Sequence, residues 1–238
     1  ATPTQLKAPD AEAYDYFGDV VSANSDKIAI TAIYGDETSS DTGAVYVYDS
    51  TDLTAAPTKL TAVAADGTDH ANLHFGKALA MSSSKLAVGT MDDTDASNSG
   101  SVYVYDLNDL SATPSKLMPS DPMSNLKFGS AIAATADKII VGDEDDDNGS
   151  YSGSIYVYDA NDLSAQPTKV TAFDGAEDDH FGCSLAAVSN TLLVGSWNDD
   201  GQGSTYIYDL GDLSAQPTKI TAFDGASGDR FSASVAIG

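Results

Sequence analysis

The 238 residues carry 36 Asp and Glu against 11 Lys and Arg, a formal charge of -25 at pH 7, and a hydrophobic share of 42% that suffices for a packed core. That balance repels phosphate backbones and anionic headgroups, which argues against nucleic acid or a membrane surface as partner. No run of eighteen apolar residues is present, so membrane insertion is not expected, and the single cysteine, Cys183, precludes an internal disulfide.

The acidic residues alternate with Val, Ile, Tyr and Leu at regular intervals, which describes the solvated face of a folded body rather than a disordered tail. Taken in chain order, one short phrase returns at Phe17-Gly18, Phe75-Gly76, Phe128-Gly129, Phe181-Gly182 and, with Ser for Gly, Phe231-Ser232. The spacings are 58, 53, 53 and 50 residues, a period that marks a repeat architecture. A second Gly follows thirteen residues later at Gly89, Gly142 and Gly195, with Thr31 in the first unit. Then comes a Tyr-x-Tyr-Asp phrase, ending at Asp49, Asp106, Asp159 and Asp209, and nine residues after its last Tyr a proline, at Pro57, Pro114, Pro167 and Pro217.

Each unit therefore predicts four strands, A to D, separated by Gly, Asp, Asn and Ser turns. Strand A, for example 128–134, is rich in Gly, Ala and Ser, which suits an innermost strand where blades crowd an axis. Strands B (138–141) and C (154–158) have apolar residues at consecutive positions, which covers both faces of a sheet. Strand D opens on Pro-Thr-Lys or Pro-Ser-Lys, the marking of an outer edge. The Asp-x-x-Asp-Leu connections from C to D place Asp49, Asp52, Asp106, Asp109, Asp159, Asp162, Asp209 and Asp212 as turn builders.

The expected fold is all-β: a β-propeller of four-stranded antiparallel blades, four complete repeats plus a split, incomplete fifth. Residues 17–74, 75–127, 128–180 and 181–230 are the repeats. Residues 1–16 carry an outer strand in phase with the D strands, and 231–238 an inner strand. Those two pieces lack strands B and C, so the chain is expected to be part of a longer polypeptide or to find partners in other protein chains. A β-solenoid is the alternative architecture.

At 174–186 (Asp-Gly-Ala-Glu-Asp-Asp-His-Phe-Gly-Cys-Ser-Leu-Ala), 192–195 (Leu-Leu-Val-Gly) and 203–208 (Gly-Ser-Thr-Tyr-Ile-Tyr) the sequence resembles FG-GAP repeat proteins of the extracellular, integrin-α-like branch. The resemblance covers nearly the whole chain. It implies a propeller fold and a secreted or cell-surface role in adhesion, ligand display or scaffolding. It also implies a calcium loop, Asp-x-Asp-x-Asp-Gly, between strands A and B. Here those connections, 23–27, 82–85, 134–138 and 188–191, are short and poor in carboxylates, so that site is not carried over.

The carboxylates gather instead between strands B and C, most densely at 143–148. Asp143, Asp145 and Asp147 are the candidate calcium ligands, since calcium takes six to eight oxygens and closely spaced Asp supplies several; a solvated acidic loop is the competing reading. Asp92, Asp93 and Asp95, and Asn198 to Asp200, are weaker counterparts. Trp197, in the fourth B-to-C loop, is the candidate for stacking on a sugar, which would make the chain a glycan-binding, lectin-like propeller, with structural burial as the alternative. Asn148-Gly149-Ser150 is a glycosylation acceptor.

His74 and His180 precede Phe-Gly where other units have Tyr16, Lys127 and Arg230, a position asking for a long amphipathic side chain. His70 lies in an insertion of the first unit. No nucleophile elbow, phosphate loop or His-based metal motif is visible, and the chain is expected not to be an enzyme.

Overall fold

The computed structural model describes residues 3–35, 41–62, 73–90, 99–120, 127–146 and 150–238. Among the described residues sixteen strands form four separate antiparallel sheets, each built from four consecutive strands in sequence order. Blade 1 holds β1 (Phe17–Ala23), β2 (Lys27–Ala32), β3 (Ala44–Asp49) and β4 (Thr58–Leu60). Blade 2 holds β5 (Ala78–Met81), β6 (Lys85–Thr90), β7 (Ser101–Asp106) and β8 (Ser115–Leu117). Blade 3 holds β9 (Ala131–Ala134), β10 (Lys138–Asp143), β11 (Ser154–Asp159) and β12 (Thr168–Val170), and blade 4 holds β13 (Phe181–Val188), β14 (Thr191–Ser196), β15 (Ser204–Asp209) and β16 (Thr218–Thr221).

The outermost strand of every blade starts at the residue after the repeated proline, which has no N–H to give a ladder. The innermost strands differ from expectation. In blades 2 and 3 they begin three residues after the Phe, at Ala78 and Ala131, past a turn in which Lys77 and Ser130 N–H bond the His74 and Lys127 carbonyls; blades 1 and 4 share that turn, through Asp19 N–H to Tyr16 and Cys183 N–H to His180. In blades 1 and 4 the strand runs from the Phe itself, with a register shift after Phe17 and after Phe181.

Alternation along the third strand of each blade decides how blades join. Val45 and Val47 of blade 1 meet Phe75, Tyr103 and Tyr105 of blade 2 in one buried cluster. Val102 and Val104 meet Phe128, Tyr156 and Tyr158 of blade 3 in a second, and Ile155 and Val157 meet Phe181, Tyr206 and Tyr208 of blade 4 in a third. Each Phe ring sits edge-on to the Tyr rings of its own blade, an arrangement that adds about 0.5–1.5 kcal/mol per pair beyond the area it buries.

The inner strands β1, β5, β9 and β13 neighbour one another in that order. There the backbones approach so closely that a Cβ on Gly142 would collide with the Gly182 carbonyl, and one on Gly89 with that of Gly129. This is why the second Gly recurs in the second, third and fourth units. The four sheets form an open arc, since among the described residues no contact of comparable extent returns from blade 4 to blade 1.

Candidate functional site

The joint between blades 3 and 4 and the contact of residues 3–10 with blade 1 carry the same polar device. After its outer strand, blade 3 continues into a linker, 171–180, that crosses to blade 4. Asp174 in this linker accepts hydrogen bonds from Tyr206 Oη (2.9 Å) and Lys219 Nζ (2.8 Å). Burial opposes its ionised form, but the bonds from Lys219 and Tyr206 outweigh burial and hold its carboxyl below the usual range. Phe173, beside it, lays its ring edge-on to Tyr206 at 6.0 Å. The Lys219 ammonium lies 5.4 Å from the same ring, and the other blades repeat this with Lys59 on Tyr46, Lys116 on Tyr103 and Lys169 on Tyr156. Linker and receiving blade thus form a plug and a socket.

Blade 1 has a filled socket as well. Residues 3–10 lie against it, with Leu6 and Ala8 packed on Tyr46 and Tyr48. Asp10 accepts from Tyr46 Oη (2.6 Å) and Lys59 Nζ (2.6 Å), as Asp174 does in blade 4. Tyr48 Oη donates to the Lys7 carbonyl (2.8 Å), just as Tyr158 donates to that of Met118 (2.9 Å).

The far face of blade 4 is different. Its linker, 222–230, repeats the Ala-Phe-Asp-Gly-Ala of 172–176, yet Phe223 is 99% exposed where Phe173 is 52% exposed. Ile220 and Val188 are exposed on the same blade. Phe231 N–H donates to the Gln202 carbonyl (2.8 Å), as Phe75, Phe128 and Phe181 donate to Thr42, Ser99 and Ser152 of the blades before them. Ser232 accepts from Thr205 through Oγ and from Ser184 through its carbonyl. Phe231 and Ser232 thus repeat the opening contacts of an inner strand, although the expected strand at 231–238 is not formed, and among the described residues no blade receives the linker.

The acidic loop of blade 3 divides its carboxylates among separate partners. Asp143 is fully buried; its Oδ1 accepts from Lys127 N–H (3.0 Å), and its Oδ2 has no hydrogen-bond partner. Burial, with the charges of Asp146 and Asp145, pushes its carboxyl up to about 7. Glu144 and Asp145 pair with the Lys127 ammonium at 3.0 and 3.2 Å, and Asp145 also lies 3.4 Å from His180 Nδ1. Asp146, which sequence reasoning did not single out, is the centre of a buried network with Ser154, Tyr156 and Lys169. Its counterpart in blade 4, Asp199, meets Ser204 and Lys219 in the same way. The shared signal is an Asp three residues past the second strand and a Lys two residues past the repeated proline.

Among the described residues, no group of three or more His, Cys, Asp or Glu side chains is placed to hold a metal ion. Asp143 and Asp145 turn to different partners. Asp147, Asn148 and Gly149 lie outside the described residues, as do His70, Asp92, Asp93 and Asp95.

Trp197 is held within the molecule. His180 stacks on its ring at 4.6 Å and 16°, and the Arg230 guanidinium lies 4.7 Å from the ring centre. Blade 1 has a similar trio, in which Tyr34 meets Tyr16 and His74 edge-on, each at 5.2 Å. The residues before Phe in these trios, Tyr16, His74, His180 and Arg230, share a left-handed backbone with φ between 52 and 56°. Their long side chains hold the upper rim of the arc.

The eight expected turn builders behave alike. Asp52, Asp109, Asp162 and Asp212 each accept from the backbone and hydroxyl of the Thr or Ser two residues on, and Asp49, Asp106, Asp159 and Asp209 from the backbone N–H two residues on.

The FG-GAP repeat pattern matches residues 3–48, 58–105, 113–158 and 165–208. The chain belongs to the FG-GAP repeat family. The first FG-GAP match starts in residues 3–10, where the expected outer strand is not formed, and the other three start near an outer strand; each ends with the third strand of a blade, so the family's repeat unit spans two neighbouring blades. No curated protein matches the chain. Among solved structures, the β-propeller domain of the Trilobed protease from Pyrococcus furiosus, described as having an open velcro topology, aligns with a TM-score of 0.49 at 9% identity. The alignment covers 89% of the FG-GAP chain and 52% of that structure, so this chain spans about half its length. Among the described residues no helix is long and apolar enough to cross a membrane.

Proposed function

We propose that this FG-GAP chain is a non-catalytic propeller module of the cell exterior, serving adhesion, display or assembly by joining its open blade faces to other blades. The observation that supports this best is the vacant joint on blade 4, where Phe223 and Asp224 repeat Phe173 and Asp174 without a receiving blade. The blades that complete it come from the same polypeptide or from other protein chains.

The commitment of several polar groups to structure supports the non-catalytic reading: Lys219 and Tyr206 bind Asp174, Lys169 and Tyr156 bind Asp146, and the acidic turns bind their own backbones. The strongly negative surface favours cationic or salt-rich surroundings over anionic ones. Trp197, with His180 and Arg230 on its ring, offers less to a sugar than an open indole face does.

The test is the particle mass of the protein extracted from its source without denaturant. A mass well above the 24.5 kDa of this chain supports assembly through the open faces. A monodisperse particle of single-chain mass contradicts it.

A further inference from the structure

The upper rim is filled differently at its three joints. Between blades 1 and 2, Tyr34 and His74 meet edge-on, and between blades 3 and 4, Tyr151 stacks over His180, which in turn stacks on Trp197. Between blades 2 and 3, Lys127 stands where those joints have a histidine before the Phe, and beside it lies a cavity of about 220 Å³ lined by Lys77, Thr90, Lys127, Ser130 and Glu144. Lys77 and Ser130 hold the same position in their blades, two residues after the Phe, where blade 1 has Asp19 and blade 4 has Cys183. Their backbone N–H groups close the turn at the head of each inner strand, Lys77 onto the His74 and Gly89 carbonyls and Ser130 onto that of Lys127. The backbone thus fixes where both side chains start.

The polar groups around this cavity are unequally satisfied. Lys127 is taken, with Glu144 and Asp145 at 3.0 and 3.2 Å from its ammonium. The Thr90 hydroxyl is taken by Ser101. Ser130 Oγ, in contrast, is buried and has no hydrogen-bond partner, a state that costs stability until something completes it. Among the described residues no carboxylate pairs with the Lys77 ammonium, in a chain where 36 Asp and Glu face 11 Lys and Arg.

We propose that this cavity binds a small monocarboxylate, its oxygens on the Lys77 ammonium and the Ser130 hydroxyl and its short alkyl part against the methylene stems of Lys77 and Lys127. Charge sets the class of ligand. Glu144 and Asp145 more than offset Lys127, so Lys77 is the cation left for a ligand. A single negative charge is matched there, whereas a doubly charged phosphate or sulfate also meets the repulsion of Glu144. Size sets the rest. At roughly 30 Å³ per water the cavity has room for a short-chain acid and not for a nucleotide or a sugar chain. The site lies between two complete blades, so it stands whether or not the assembly reading holds.

Titration of the chain with sodium butyrate at constant ionic strength, followed by saturation-transfer NMR and by thermal melting, is the test. Butyrate is expected to bind at about millimolar concentration and to raise the melting temperature. Butyramide, which keeps the shape without the charge, and inorganic phosphate are each expected to bind at least about tenfold more weakly. Lys77→Met should weaken butyrate about tenfold or more, and Ser130→Ala about tenfold. Lys77→Gln, which keeps a polar side chain on the turn, decides if circular dichroism shows that the Met variant loses its strand signal. N-acetylalanine separates two sources of the same chemistry: binding tighter than that of butyrate assigns the cavity to the carboxylate end of a peptide, and weaker binding to a free acid. Absence of butyrate binding well above millimolar concentration, butyramide or phosphate binding as tightly as butyrate, or an affinity unchanged in the Lys77 variants overturns the proposal.

Discussion

Replacing Asp143 by Asn removes a titrating group from the interior while keeping an oxygen for the Lys127 N–H. In the folded chain this carboxyl is pushed from 3.8 to about 7, chiefly by burial. The unfolded chain releases the proton near 3.8, so between that value and about 7 the folded state binds more protons. Stability from this group is fully present below the unfolded pKa and is lost as pH rises through the folded one. Each pH unit in the window corresponds to about 1.4 kcal/mol, and the whole window to about 2–4 kcal/mol once relaxation of the buried site is allowed for.

Urea denaturation of the unmodified chain and Asp143→Asn, from about pH 4 to pH 8, isolates the group, because the other carboxylates cancel in the difference. The variant should gain on the unmodified chain steadily as pH rises and level off above about 7. A difference that does not change with pH, or that runs the other way, would refute the assignment of a buried protonated carboxyl at this position.

Lys219→Met leaves Asp199, whose side chain is only 3% exposed, without its cation, and should cost about 2–4 kcal/mol by equilibrium unfolding. Gly142→Ala drives a methyl group into the Gly182 carbonyl between blades 3 and 4 and should cost about 1–3 kcal/mol, with faster hydrogen exchange in β13 than in β5. Phe181→Ala empties a fully buried site and should cost about 3–5 kcal/mol. The Cys183 thiol is pushed up to about 11 by burial. Its reaction with a disulfide reagent at mildly alkaline pH should be roughly a hundredfold slower in the folded chain than in urea.

Much of this architecture is legible in the sequence because it depends on local pattern. The repeated proline marks where each outer strand begins, and the consecutive apolar residues of the second and third strands foretell sheets covered on both faces. The Asp-x-x-Asp-Leu turns follow from side chains bonding backbone two residues away. What the sequence hides is what depends on the joint between units. Asp10 lies 36 residues from Tyr46, and Asp174 lies 32 from Tyr206, so no local spacing reveals that a linker carboxylate serves the next blade's Tyr and Lys. Trp197 is a bare indole on paper because Arg230, which comes to lie over its ring, is brought there only by the next Phe-Gly position. In the acidic loop Asp143 turns inward to the Lys127 N–H, Asp145 to the Lys127 ammonium and Asp146 to Lys169, partners too distant along the chain for local spacing to reveal. The inner strand of blade 3 starts at Ala131 and not at the expected 128, and that of blade 2 likewise starts at Ala78, three residues past its Phe.

Carboxyl footprinting of Asp174 and Asp224 tests the central claim most directly, because the two residues lie in the same Ala-Phe-Asp-Gly-Ala sequence and differ only in whether a blade receives them. In the isolated chain Asp224 should be modified rapidly and Asp174, held by Tyr206 and Lys219, slowly. In the native particle both should be protected. Equal labelling of the two in the isolated chain, or an Asp224 that stays fully reactive in the native particle, would contradict the account of an open arc completed by further blades.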